Sequence, residues 1–186
     1  MSAMHRMRFD ELESLILSAL HATGANPATV TSLTRATLSA EARRKSAVGA
    51  VHLLDYIDAI SSGRLNRDPQ PKLYQPRPGV ITVDADTGIA QLAFDQALPE
   101  LDELTTRAGV GVLSIHNSFS GGELGYYVAR AAEKGLVALA CGNSAALMAV
   151  HGAHRPVTGT NPLAFALPHV DGPRLFDQAA SATAWV

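Results

Sequence analysis

Four prolines close together, Pro69, Pro71, Pro76 and Pro78, divide this chain into two textures. Proline has no backbone N–H and fixes its own φ, so such a density excludes a helix interior or a central strand. The pattern predicts an extended proline-rich linker at residues 69–79, between a helical segment at 1–68 and an α/β domain at 80–186. Before the linker, Phe9, Leu12, Ile16, Ala19 and Leu20 recur at helical spacing, and Gly24 is placed to end that helix. Asn26-Pro27 reads as a cap followed by proline at the first helical position, opening a second helix toward Arg43. A third helix is predicted from Ser46 to Ile60, with Leu53, Ile57 and Ile60 on one face.

After the linker, short apolar runs alternate with helical stretches. Val80–Val83, Val110–Ile115, Leu136–Cys141, Phe165–Leu167 and Leu175–Phe176 read as strands. Helices are expected from Ala90 to Arg107, interrupted or restarted near Pro99, and from Leu124 to Lys134, stopped by Gly135. Strands that alternate with helices make the class α/β, with a helical layer in front of a mixed sheet domain.

Charge narrows the partners. Lys and Arg total 15 against 17 for Asp and Glu, which gives no overall pull toward nucleic acid or an anionic membrane. The one basic cluster, Arg43-Arg44-Lys45, reads as a solvated helix end, and Glu123 and Asp171 as solvated carboxylates. No apolar stretch is long enough to span a bilayer, and the N-terminus carries no signal-peptide pattern. A single cysteine, Cys141, excludes an internal disulfide framework; its apolar surroundings suggest a buried thiol, and a cytoplasmic setting fits.

Polar residues at abrupt turns supply the candidate chemistry. Gly159-Thr160-Asn161-Pro162 is a rigid turn next to a short apolar strand, and Leu175-Phe176-Asp177-Gln178-Ala179 is an apolar strand running into one carboxylate and small residues. These read either as a site for a polar ligand or as polar turns between buried strands. The glycines do not supply the Gly-x-Gly-x-x-Gly turn of a Rossmann unit, and no P-loop is present, so a dinucleotide would need another architecture. His151-x-x-His154 lacks a third ligand at suitable spacing, and no metal is assigned.

The runs Ile115-His116-Asn117-Ser118, Gly125-Tyr126-Tyr127, Lys134-Gly135-Leu136, Gly142-Asn143-Ser144, Gly159-Thr160-Asn161-Pro162 and Phe176-Asp177-Gln178-Ala179 resemble the malate/L-lactate dehydrogenase family of the second type. Ureidoglycolate dehydrogenase, diketogulonate reductase and the piperideine/pyrroline-2-carboxylate reductases belong to that family. The resemblance implies a non-Rossmann sheet domain that binds NAD or NADP, and homodimers whose sites draw on both subunits. It also implies hydride transfer between nicotinamide and C2 of a 2-oxo or 2-hydroxy acid, or of a cyclic imine carboxylate. Carried over by motif, Ser144, Asp177, Gln178 and Ala179 would contact the cofactor, and Thr160 would line the substrate pocket. The alternative is a non-catalytic relative that acts as a partner or binding module.

Three departures from the family pattern bear on the chemistry. The usual Ser-His-Gly, followed after three residues by arginine, reads Ala47-Val48-Gly49 with His52 at the arginine position. On one helix Val48 and His52 would share a face, so His52 is the candidate catalytic and substrate-binding residue, as proton donor, carboxylate partner or both. The other reading has His52 only packing between helices. In the second departure, Asn-Ser-x-His-Phe-Gly reads Asn117-Ser118-Phe119-Ser120-Gly121-Gly122, so Ser120 stands where many relatives carry histidine. Serine donates a hydrogen bond but is a poor base without an activator, which makes Ser120 the second catalytic candidate. The third departure is length: the chain stops at Ala184-Trp185-Val186, just after an expected central strand, and reads as the N-terminal part of an incomplete NAD(P)-binding domain.

Overall fold

The computed structural model describes residues 6–179 and 181. Ala180 and the terminal Ala184-Trp185-Val186 lie outside the described residues. Three helices come first: α1 at Phe9–Ala22, α2 at Pro27–Ala42 and α3 at Ala50–Ser61, with a single 3₁₀ turn at Ser46–Val48 before α3. Asn26 caps α2 by accepting from the Thr29 N–H, with Pro27 at the first helical position, as the sequence predicts. Ile16 and Leu20 of α1, Val30 and Leu33 of α2, and Leu53, Tyr56 and Ile60 of α3 close one core with Leu65, Ile89 and Leu92. Each fully buried side chain of this size contributes about 1.5–3 kcal/mol from surface removed from water.

The first sheet has the order β1-β2-β3, with β1 at Lys72–Arg77, β2 at Val80–Asp84 and β3 at Val112–His116. Strands β1 and β2 are antiparallel, and β2 and β3 are parallel through a crossover, α4 at Ala90–Ala108. The expected linker is therefore only partly a connection, because residues 72–77 pair as an edge strand. Prolines are tolerated there for a local reason: Pro76 sits where the β1–β2 register slips between Tyr74 and Arg77, on an edge where a missing N–H costs no ladder bond. Pro99 likewise fails to interrupt α4, which runs through it. Phe94, Ala97, Leu98 and Leu104 bury the face of α4 on both sides of the proline, and that packing holds the helix together.

The second sheet is an antiparallel meander of β4 at Ala138–Cys141, β5 at Leu163–Leu167 and β6 at Arg174–Gln178. Helix α5 at Leu124–Ala132 lies on it, with Val128 and Ala132 against Ala164 and Ala166. Its other face joins the rest of the molecule, where Tyr126 and Tyr127 pack with Phe94 and Leu98 of α4 and Ala36 of α2. Small residues on the inner face of β4 and β5 let α5 approach. The alternate residues point away, so Cys141 is exposed rather than buried. The result is an α/β molecule with a helical layer in front of sheets, and among the described residues no helix is long and apolar enough to cross a membrane.

Candidate active site

The start of α3 sets the position of His52. Glu41, near the end of α2, reaches across to accept hydrogen bonds from Ser46 Oγ at 2.9 Å and the Ala50 N–H at 2.8 Å. A Cβ on Gly49 would stand 2.5 Å from the Glu41 carboxylate, so glycine is what lets that carboxylate seat against the helix start. The helix consequently begins at Ala50, and Val48 belongs to the preceding 3₁₀ turn. The expectation that Val48 and His52 share one helix face is corrected: Gly49 breaks the backbone between them, with φ −102° and ψ −123°.

His52 nevertheless meets the second candidate directly. Its Nε2 lies 2.9 Å from Ser120 Oγ, and its Nδ1 lies 2.8 Å from Asp55 Oδ2, one turn further along α3. The imidazole is 14% exposed, whereas Asp55 is 54% exposed. The loop that carries Ser120 between β3 and α5 is tied down at several atoms. The Gly122 N–H donates to Ser120 Oγ at 3.1 Å, and Tyr56 Oη donates to the Ser120 carbonyl at 3.1 Å. Gln91 Nε2 donates to Tyr56 Oη at 3.0 Å and to the Gly121 carbonyl at 3.3 Å, which also accepts from Tyr127 Oη. Burial pushes the Tyr56 hydroxyl above its ordinary range, so it stays a neutral donor. Edge-on contacts of Tyr56 with the His52 ring, centroids 4.9 Å apart, and with Phe119 at 5.3 Å complete the wall. Val48 lines a cavity of about 10 Å³ behind this loop, together with Tyr56, Gln91, Gly122 and Glu123.

Asp177 sits in a different setting. Its Oδ2 accepts from the Gly125 N–H at 3.0 Å and from Lys45 Nζ at 2.9 Å. This puts a negative charge at the start of α5, where the helix dipole favours one. Lys45 also pairs with Glu123 at 3.1 Å, and Arg43 Nε holds the same Glu123 oxygen at 3.1 Å. Glu123 is only 3% exposed and Arg43 and Lys45 are half-buried against it, so these three are not the solvated groups that the sequence suggests, whereas Arg44 is exposed. Partial burial pulls the Lys45 ammonium down, but hydrogen bonds to Asp177 and Glu123 outweigh it and leave it above its usual value. Sequence separations of 80 and 132 residues hide these pairs from any local pattern.

Ser144 and Thr160 form a third cluster. Ser144 Oγ accepts from the Thr160 N–H at 2.8 Å and lies 3.2 Å from Thr160 Oγ1, while the Ser144 N–H donates to Asn161 Oδ1 at 3.2 Å. Gly159 is required here, because a Cβ would run into the Ser144 backbone. Gln178 and Ala179 are exposed at the end of β6. Among the described residues no hydrogen bond joins this cluster to His52 and Ser120. The structure therefore brings His52 to Ser120 and Ser144 to Thr160, as two separate pairs. A more open depression of about 560 Å³, around Glu133, Pro168, His169 and Pro173, contains none of the predicted site residues.

Comparison with known proteins bears on what these pairs belong to. The family model described as malate/L-lactate dehydrogenase matches residues 7–186. The chain is 34% identical over 182 residues to the Delta(1)-pyrroline-2-carboxylate/Delta(1)-piperideine-2-carboxylate reductase of Pseudomonas aeruginosa, across 97% of this chain and 54% of the relative. Among solved structures, malate dehydrogenase from Pyrococcus horikoshii superposes with a TM-score of 0.89 at 30% identity, covering 96% of this chain and 51% of the other. Delta1-piperideine-2-carboxylate reductase from Pseudomonas syringae superposes with a TM-score of 0.88 at 32% identity, covering 97% and 55%. The chain thus spans about half the length of the relatives it matches. By the match over nearly its whole length, it belongs to the malate/L-lactate dehydrogenase family.

Proposed function

We propose that this chain is part of an oxidoreductase that uses NAD or NADP to interconvert a 2-oxo acid and its 2-hydroxy acid. The observation that carries the reading is the 2.9 Å contact between His52 Nε2 and Ser120 Oγ. Two residues that replace the family's usual arginine and histidine converge on one point, and together they form a group that can move a proton. Ser144, Gln178 and Ala179 present an exposed hydroxyl, amide and backbone that fit a polar cofactor, whereas Asp177 has one carboxylate oxygen committed to α5 and Lys45. Bound there, a reduced nicotinamide supplies the hydride for C2. Thr160 is the proposed substrate contact, held in place by Ser144. The chain's own task is to orient the substrate and to deliver or remove the proton as the carbonyl becomes an alcohol.

A second reading has a cyclic imine carboxylate as substrate. It is favoured by the pyrroline and piperideine reductase at 34% identity, against 31% for the malate dehydrogenase of Pyrococcus abyssi. The proposal includes a homodimer, as the family resemblance implies, and a cytoplasmic location. Fluorescence titration of the protein with NADH and NADPH, followed by pyruvate, oxaloacetate or pyrroline-2-carboxylate, tests the reading. Binding with turnover on one of them supports it and names the substrate class. No binding of either nucleotide would sink it in favour of a non-catalytic relative. His52→Ala is expected to cut turnover with little change in cofactor affinity.

A further inference from the structure

We infer that Asp55, His52 and Ser120 form a proton relay in which the Ser120 hydroxyl, not the His52 ring, faces the substrate, and Asp55 is a positioning residue. This rests on the oxidoreductase reading for its substrate, but the hydrogen-bond directions that define it follow from the site alone.

An ionised carboxylate only accepts hydrogen bonds. At 2.8 Å from Asp55 Oδ2, His52 Nδ1 must therefore carry a proton. In the neutral ring Nε2 is then the acceptor, and the donor beside it is the Ser120 hydroxyl at 2.9 Å. Ser120 Oγ already accepts from the Gly122 N–H at 3.1 Å, which leaves its single proton free for Nε2. Both ring nitrogens are thereby occupied, and the imidazole has no third polar atom to offer a ligand. Ser120 Oγ retains one lone pair beyond these two bonds. The Ser120 carbonyl is fixed by Tyr56 and the Gly121 carbonyl by Gln91 and Tyr127, so the hydroxyl is held before any ligand arrives. Residues from α3, α4, α5 and the β3–α5 loop converge to make this arrangement.

The proton balance closes in both directions. In oxidation the substrate hydroxyl gives its proton to Ser120 Oγ as hydride leaves C2, and Ser120 passes its own proton to His52 Nε2. The imidazolium so formed is stabilised by Asp55. In reduction the ring begins as the imidazolium, with both N–H groups donating. As hydride reaches C2, Ser120 protonates the substrate oxygen or nitrogen and takes the Nε2 proton, and a solvent proton then restores the ring. No alkoxide is left on Ser120 at either end, which removes the objection that serine alone is a poor base. Asp55 is more than half exposed, so its contribution is orientation of the ring more than a large Coulombic energy.

Long-range proton–nitrogen correlation NMR on the full chain, at a pH where the ring is neutral, reads the tautomer without any substrate. We expect His52 to be protonated at Nδ1, to remain so in Ser120→Ala, and to shift toward the Nε2-protonated form in Asp55→Asn. An Nε2-protonated His52 in the unaltered chain, or no change in Asp55→Asn, overturns the relay even if the protein turns over a 2-oxo acid. Conversely, the expected tautomers support the relay even if the substrate proves to be of another class. On any substrate found, Ser120→Ala and His52→Gln should each lower kcat by about 10²–10⁴-fold. Because the two act as a unit, the double variant should be little worse than either single one. Asp55→Asn should lower kcat with little change in KM. Full kcat in Ser120→Ala overturns the proposal.

Discussion

On the proposed reading His52 stands at an arginine position of the family pattern and Ser120 at a histidine position, and each residue makes physical sense only beside the other. A histidine at position 52 reaches Ser120 at 2.9 Å, and the serine in turn gives the imidazole a partner at Nε2. Lys45 illustrates the same dependence in the ion cluster. Replacing it by methionine leaves Asp177 with the Gly125 N–H and Glu123 with Arg43, two carboxylates still largely buried. Fully buried pairs lose about 3–5 kcal/mol when broken, but the Lys45 head is partly solvated, so about 1–2 kcal/mol is expected, read from urea midpoints. The sign follows from the upward displacement of Lys45. Its contribution is complete below the ordinary lysine range and is lost as pH rises through the displaced value, so the stability curves of Lys45→Met and the unaltered chain should converge in alkali. Equal midpoints at neutral pH would show that Lys45 contributes nothing. The candidates themselves, His52, Ser120, Ser144 and Thr160, were legible as departures from or matches to motif positions. Tyr56 and Gln91 were not, because what selects them is contact with a loop that lies 30 or more residues away in sequence, and Asp55 gains its role only once His52 is seen to face Ser120.

At the scale of elements, the helices and most strands were legible because their apolar spacing is local, whereas β1 was hidden by its prolines. Lys72–Arg77 is polar and proline-containing, and only its pairing with β2 makes it a strand. The start of α3 was hidden for a similar reason, since its cap is Glu41 from another helix. Glu41→Ala should cost about 1 kcal/mol, the usual value of an N-cap, and should speed amide exchange at residues 50–53. Unchanged exchange there would mean that Gly49 alone starts the helix. The turn between β2 and α4 carries its own pH dependence. Asp84 Oδ1 accepts from the Asp86 N–H at 2.9 Å and from Asn117 Nδ2 at 2.8 Å, and these bonds hold its carboxyl below the ordinary range. They also steady Asp86 and Asn117, whose φ values are both positive, at 55° and 53°. The Asp84 contribution is present above the ordinary carboxylate pKa and is lost as pH falls through the depressed one. Asp84→Asn should therefore flatten the acid limb of the stability curve. A limb as steep as before would assign that loss to other carboxylates.

Across the whole molecule, α5 is the element on which everything else bears. One face covers Ala164 and Ala166 of the second sheet, the other meets α2 and α4, and its start is held by Asp177. Alternation in a strand then dictates the opposite face of that sheet: with alanines turned toward α5, Leu139, Leu163, Phe165, Leu167 and Phe176 must point outward. Phe165 and Phe176 stack there with centroids 5.1 Å apart. An apolar face of this kind favours association; in a chain that spans about half the length of its relatives it can pack against the rest of the same protein or, in the proposed homodimer, against a second copy. Changing both Phe165 and Phe176 to serine removes the stack, at about 1 kcal/mol of monomer stability, and leaves the alanine face untouched. Sedimentation velocity should then show the protein shifted toward the monomer, with less binding of a hydrophobic dye. If the two forms sediment identically, the dimer does not use this face, although the loss of dye binding would still locate the apolar surface. The face was foreseeable only in part: the sequence shows apolar strands, but which half of each strand faces water depends on α5 lying across the other.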